Sequence, residues 1–98
     1  MMTLDQLRIF VAVAEREHMT RAAVALNLTQ SAASAAIAAL EDRHVVHLFD
    51  RIGRRIVLTP TGREFLAEAR AVLARADTAV RVLNDLAGAT RGTLRLAA

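Results

Sequence analysis

Residues 20–40 constrain the chain more than any other stretch, because they combine two helix starts with one helix stop. Thr20 and Thr29 each offer a hydroxyl that can accept from a free amide of a first helical turn. Between them, Asn27 tolerates the left-handed conformation with which a helix stops. Ala22, Ala23 and Leu26 share one face of the first helix, and Ala33, Ile37 and Leu40 share one face of the second. Alanines at the crossing let the two helices approach closely at a steep angle. That leaves the opposite face of the second helix, with Thr29, Gln30, Ser31 and Ser34 near its start, free of a core. A short, narrow, polar helix held in this way has the dimensions that enter a DNA major groove. The same turn pattern also occurs in ordinary helical hairpins.

The flanks add elements in order. Leu4, Leu7, Phe10, Val11 and Ala14 recur at helical spacing and predict an amphipathic helix over about 3–17, started by Thr3 or Asp5. Met19 is expected in the same core and His18 on the surface. After Leu40 the helix should end near residues 41–44. Two short β-prone runs follow, Val45 to Phe49 and Ile56 to Leu58, around the turn signal Gly53. They predict a two-stranded wing whose tip gathers Arg51, Arg54 and Arg55. Guanidinium groups so close repel one another unless they face an anion, and phosphate is the obvious one. A solvated loop is the plainer alternative.

Thr59 and Pro60 suit an N-cap and a first helical residue, while Thr61 with Glu64 offers a competing capping box. The helix they open should run to about residue 86. Phe65, Leu66, Ala69, Val72, Leu73, Ala76, Val80 and Leu83 keep one apolar stripe along it. Such a helix spans on the order of 40 Å, too long for so small a domain to cover. A second copy of the same helix is the simplest cover for its far end, so these eight residues are expected to dimerise. Gly88 and Gly92 then read as a hinge, and residues 93–98 alternate like the start of a strand. The division expected is therefore 1–58 for the winged domain, 59–87 for the long helix, and 88–98 for a hinge leading into a further domain.

Composition removes several functions. The chain has 98 residues and no cysteine, so disulfides and thiolate metal sites are excluded and a cytoplasmic location fits. Residues 1–6 lack the basic-then-apolar pattern expected of a secretion signal, and no apolar run is long enough to cross a membrane. Its net charge is +3, and all 13 basic residues are arginine. Three phenylalanines are the only aromatic residues, which argues against stacking on single-stranded bases. No nucleophile pairs with a base, so no catalytic residue is assigned and no enzyme is expected. His44 and His47, with Glu41 and Asp42 nearby, could be imagined around a metal, but solvent-facing histidines are the simpler reading. No metal or cofactor is expected in this stretch.

Taken together, the motifs resemble the N-terminal part of LysR-type transcriptional regulators. The residues carrying the resemblance are Leu4-Asp-Gln-Leu-Arg-Ile-Phe-Val-Ala-Val-Ala-Glu, Thr20-Arg-Ala-Ala, Leu28-Thr-Gln-Ser-Ala-Ala-Ser, Leu40-Glu, Leu48-Phe-Asp-Arg, Gly53-Arg-Arg, Leu58-Thr-Pro-Thr-Gly and Arg91-Gly-Thr-Leu-Arg. The resemblance implies a mainly α, winged helix-turn-helix fold with a two-stranded β wing and a long C-terminal dimerisation helix. It implies sequence-specific binding of double-stranded DNA at an imperfect palindrome near a promoter. It also implies a homodimer, a tetramer in the full-length protein, and a small-molecule inducer bound by a C-terminal domain outside this stretch.

Carried onto this sequence, Gln30, Ser31 and Ser34 occupy the groove-facing start of the recognition helix. Arg21 and Thr29 match phosphate-touching positions, and Arg54 matches a residue that enters the minor groove. The chain departs from the pattern in three places. Ser31 stands where many relatives have proline. Ala35 and Ala36 replace an arginine and a glutamine, and Ala35 can touch a thymine methyl but cannot donate or accept. Specificity should then lean more on the wing and on DNA shape. Val45 stands where glycine usually closes the recognition helix, so its backbone is either different or strained. The alternative function is a protein–protein module in which the long helix works and the winged fold is inert.

Overall fold

The computed structural model describes residues 2–53 and 55–97. Its elements run α1 (Leu4–Arg16), α2 (Met19–Ala25), α3 (Gln30–His44), β1 (Phe49–Ile52), β2 (Arg55–Leu58) and α4 (Pro60–Ala97). Local chemistry sets most of these boundaries. Thr3 starts α1 through a reciprocal capping box: the Gln6 amide donates to Thr3 Oγ1 at 3.1 Å, and the Thr3 amide donates to Gln6 Oε1 at 3.0 Å. Glu17 ends the helix in the left-handed region, at φ 49°.

The stop after α2 is a Schellman motif with Asn27 in the left-handed position, φ 59°. The Asn27 amide reaches the Val24 carbonyl at 3.1 Å, and the Leu28 amide reaches that of Ala23 at 2.8 Å. Thr29 then caps α3 by accepting from the Ala32 amide at 3.1 Å. The axes of α2 and α3 meet at 107°, within the range of helix-turn-helix pairs.

Three boundaries differ from the sequence reading. His18, not Thr20, caps α2, with Nδ1 accepting from the Arg21 amide at 3.1 Å. An imidazole nitrogen does the work of a hydroxyl oxygen here, and the helix gains two residues, Met19 and Thr20, at its start. The first wing strand begins at Phe49 rather than Val45, because Val45 is taken up by the end of α3. Finally, α4 does not break at Gly88 but continues through 88–97. A lone strand has no edge to bond to, whereas a helix satisfies its own amides, and two glycines cost it only about 1 kcal/mol each.

Phe10, with no exposed surface, stands at the centre of the core. Its ring lies 5.4 Å from that of Phe49 in the wing and 4.8 Å from that of Phe65 in α4. Leu7 and Val13 extend this core along α1. Met19, Ala22 and Ala23 close it from α2, Ala33, Ile37 and Leu40 from α3, and Leu48 and Ile56 from the wing. Arg70 adds an exposed ion pair to Glu15 at 3.3 Å between α4 and α1, worth little in water.

Val45 is strained. It ends α3 at φ 53°, ψ 52°, a region that costs a β-branched side chain on the order of 1 kcal/mol or more. At 89% exposure it has almost no packing in return. Val45→Gly is therefore expected to raise stability by about 1 kcal/mol in urea denaturation. A marked loss of stability instead would show that the valine packs.

Candidate nucleic-acid interface

The outward face of α3 is built by default, from the residues its core face does not use. Ala33, Ile37 and Leu40 are buried, so Ser31, Ala35 and Ala38 point away from the domain and are exposed. Gln30 is exposed at the first turn, and Ser34 is half-buried beside it. Gln30 Nε2 donates to Ser34 Oγ at 3.2 Å, which lays the glutamine along the helix and leaves its carbonyl oxygen open. Thr29 is exposed, and its hydroxyl keeps a proton to donate while it caps the helix. Arg21 is exposed at the start of α2. The expected reading residues of α3 thus share one surface, and Ala38 continues it by one turn. Its side chains are short, so the helix stays slim enough to lie deep in a groove.

The wing is a tight antiparallel hairpin pairing Phe49 with Leu58, Asp50 with Val57, Arg51 with Ile56 and Ile52 with Arg55. Gly53 opens the turn at φ 62°, as a two-residue loop requires. Side chains alternate along a strand, so this register puts Arg51 and Arg55 on opposite faces. Both are exposed, but they are not gathered as the sequence reading expected. Arg54 lies outside the described residues.

The apolar stripe of α4 divides in two. Phe65, Leu66, Ala69 and Leu73, expected to dimerise, pack on the domain's own core, and Ala69 is fully buried. Val72, Val80 and Leu83 remain 44%, 56% and 66% exposed, with Ala76 half-buried between them. The stripe is continuous because one helix first closes its own domain and then leaves it.

Two residues at the junction of these elements were missed by the sequence reading. Glu41 near the end of α3 reaches the wing: its Oε2 accepts from the Leu48 amide at 2.8 Å and from the Phe49 amide at 3.4 Å. Gly62 in the first turn of α4 lies against the wing base, where an added Cβ would collide with the Leu48 carbonyl oxygen and come within 2.6 Å of Leu58 Cδ1. Thr59 joins the same junction. Its hydroxyl donates to the carbonyl oxygens of His47 at 2.7 Å or Leu48 at 3.2 Å, and it caps α4 by accepting from the Gly62 amide at 2.9 Å. That settles the helix start in favour of Thr59 and Pro60. Among the described residues no acid, histidine or cysteine cluster could hold a metal ion, and no single helix is long and apolar enough to cross a membrane.

Comparison with known proteins places this geometry. Residues 4–63 match the family described as bacterial regulatory helix-turn-helix protein, lysR family. The RuBisCO operon transcriptional regulator of Allochromatium vinosum is 43% identical over 95 residues, which is 97% of this chain and 32% of that protein. The chain thus spans about a third of the length of that relative. Among solved structures, the CbnR DBD–DNA complex superposes with a TM-score of 0.81 at 36% identity, covering 88% of this chain and 99% of that one. The BenM DBD bound to benA site 1 DNA superposes with a TM-score of 0.83 at 35% identity, covering 88% and 97%.

Proposed function

The chain belongs to the LysR family of bacterial regulatory helix-turn-helix proteins, and from that premise we propose that it binds double-stranded DNA sequence-specifically as the DNA-binding domain of a transcriptional regulator. The start of α3 lies in the major groove, where Gln30, Ser31 and Ser34 meet base edges and Ala35 meets a thymine methyl. Thr29 and Arg21 hold flanking phosphates. The wing lies over the adjacent minor groove, with Arg51 and Arg55 near the backbone and Arg54 assigned to that groove from sequence alone. Two copies joined through Val72, Ala76, Val80 and Leu83 read the halves of an imperfect palindrome. The whole protein assembles further to a tetramer in the cytoplasm and takes its inducer in a C-terminal domain.

One observation carries this reading: the polar, slim face of α3 is exposed while its other face is locked into the core. A role in protein binding alone leaves that face without a use. Selection of duplexes from a random pool by the 98-residue chain tests it, and failure to enrich any site at low salt would overturn it. On the selected site, Gln30→Ala is expected to erase the preference at one base pair, worth about 1–3 kcal/mol. Equal weakening on all sequences would show that Gln30 only positions the helix.

A further inference from the structure

We propose that Glu41 is a positioning residue that fixes the angle of the wing against the recognition helix, so that major- and minor-groove contacts form together. The proposal rests on the DNA-binding reading and adds a role for a side chain that touches no DNA. Glu41 accepts four amides of the segment between the two elements. Its backbone carbonyl takes Val45 and, at 3.1 Å, Val46. Its carboxylate takes Leu48 at 2.8 Å and Phe49 at 3.4 Å. Phe49 is the first residue of β1, so the carboxylate grips the root of the hairpin.

The choice of an acid here runs against helix electrostatics. A negative charge near a helix C-terminus is unfavourable, and α3 ends only three residues later, at His44. What offsets it is a pair of charge-assisted bonds to the Leu48 and Phe49 amides in a half-buried junction. Leu48 is clamped from its other side as well, because its carbonyl accepts from the Thr59 amide at 3.0 Å. The wing root is thereby held between α3 and α4. Leverage makes this matter: the tip lies roughly 13 Å from the root at about 3.3 Å per residue, so a tilt of about 10° moves it by about 2 Å. Productive contacts tolerate about 0.5 Å.

Glu41→Ala removes both carboxylate bonds, whereas Glu41→Gln keeps an acceptor oxygen at the same reach. The probe is a duplex selected by the wild-type chain. Three readouts apply: the salt dependence of affinity, dimethyl sulfate protection of adenine N3 in the minor groove flanking the half-site, and base preference at the Gln30 contact. Glu41→Ala is expected to weaken binding about tenfold at low salt, reduce the salt slope by about one, and lose the minor-groove protection. It should keep the Gln30 base preference, and Glu41→Gln should restore most of the protection. A thermal melt of each variant accompanies these measurements. Wild-type slope and protection in both variants would overturn the proposal. So would loss of base preference in step with melting temperature in both, since that marks a merely structural residue. If Glu41→Ala fails to fold, Glu41→Gln decides alone: protection retained with a somewhat weaker affinity supports the role, and complete loss of binding overturns it. Failure of the wild-type chain to bind any duplex would instead strike the functional reading itself.

Discussion

Gly62→Ala is expected to destabilise the fold by about 3 kcal/mol, near the top of the overpacking range, and to lower the melting temperature by on the order of 15 °C. The direction is the informative part. Inside an ordinary helix the same change stabilises by about 1 kcal/mol, because alanine loses less backbone freedom than glycine. At Gly62 the new methyl meets the Leu48 carbonyl oxygen and two atoms of the Leu58 side chain. Leucine can swing aside. The carbonyl cannot, because it is held by the Thr59 amide at 3.0 Å and lies within reach of the Thr59 hydroxyl. Relief therefore means either breaking the cap of α4 or pushing α4 off the wing. Gly88 supplies the control on the same helix: nothing lies within 4 Å of a Cβ added there, so Gly88→Ala should stabilise by roughly 0.5–1 kcal/mol. Circular-dichroism melts of the two variants check the pair, and shifts of the same sign would show that the approach at Gly62 is loose.

Leu83→Asp is expected to leave the winged domain folded, separate the dimer, and weaken binding to a full palindrome by about 10²–10⁴-fold. Leu83 is 66% exposed, so the chain's own core loses nothing. In a dimer the aspartate must either desolvate or sit beside its symmetry mate, and both disfavour association. The size of the loss comes from linkage: two half-sites on one duplex are occupied by tethered copies at high effective concentration, and a monomer forfeits that gain. Binding to an isolated half-site should change little. Sedimentation gives the oligomeric state, and titration against full and half-site duplexes gives the rest. A variant that still dimerises would place the seam on another face.

What could be read from the sequence was mostly local. Thr3, Thr29, Thr59 and Asn27 each carry their helix signal in their own side chain, and the apolar spacing of Phe10, Ala33, Ile37 and Leu40 names the core faces directly. Val45 stands out only through the family resemblance, since a valine where relatives have a helix-closing glycine points to strain. The misses needed partners distant in sequence or in kind. Val45 and Val46 look like strand because both are β-branched, yet the backbone carbonyl of Glu41 draws them into the helix end. His18 reads as a loop residue until its nitrogen is seen to face the Arg21 amide. Glu41 and Gly62 act across seven residues and across two elements, where no periodicity reports them. The eight stripe residues of α4 share one spacing, so nothing in the pattern says where core ends and free surface begins.

That shared stripe has a geometric consequence. With about 100° of rotation per residue, Ala69, Leu73, Ala76, Val80 and Leu83 stay within about 40° of one line along α4. The side that seats the domain and the side that would seat a second copy therefore have the same rotational phase. Adding one residue between Leu73 and Ala76 would swing the partner about 100° around the axis and advance it about 1.5 Å. In the proposed dimer, how far apart two reading heads stand on a duplex, and which way each faces, would thus be set by the number of residues along a rod, and insertions or deletions there would respace the heads without touching either one.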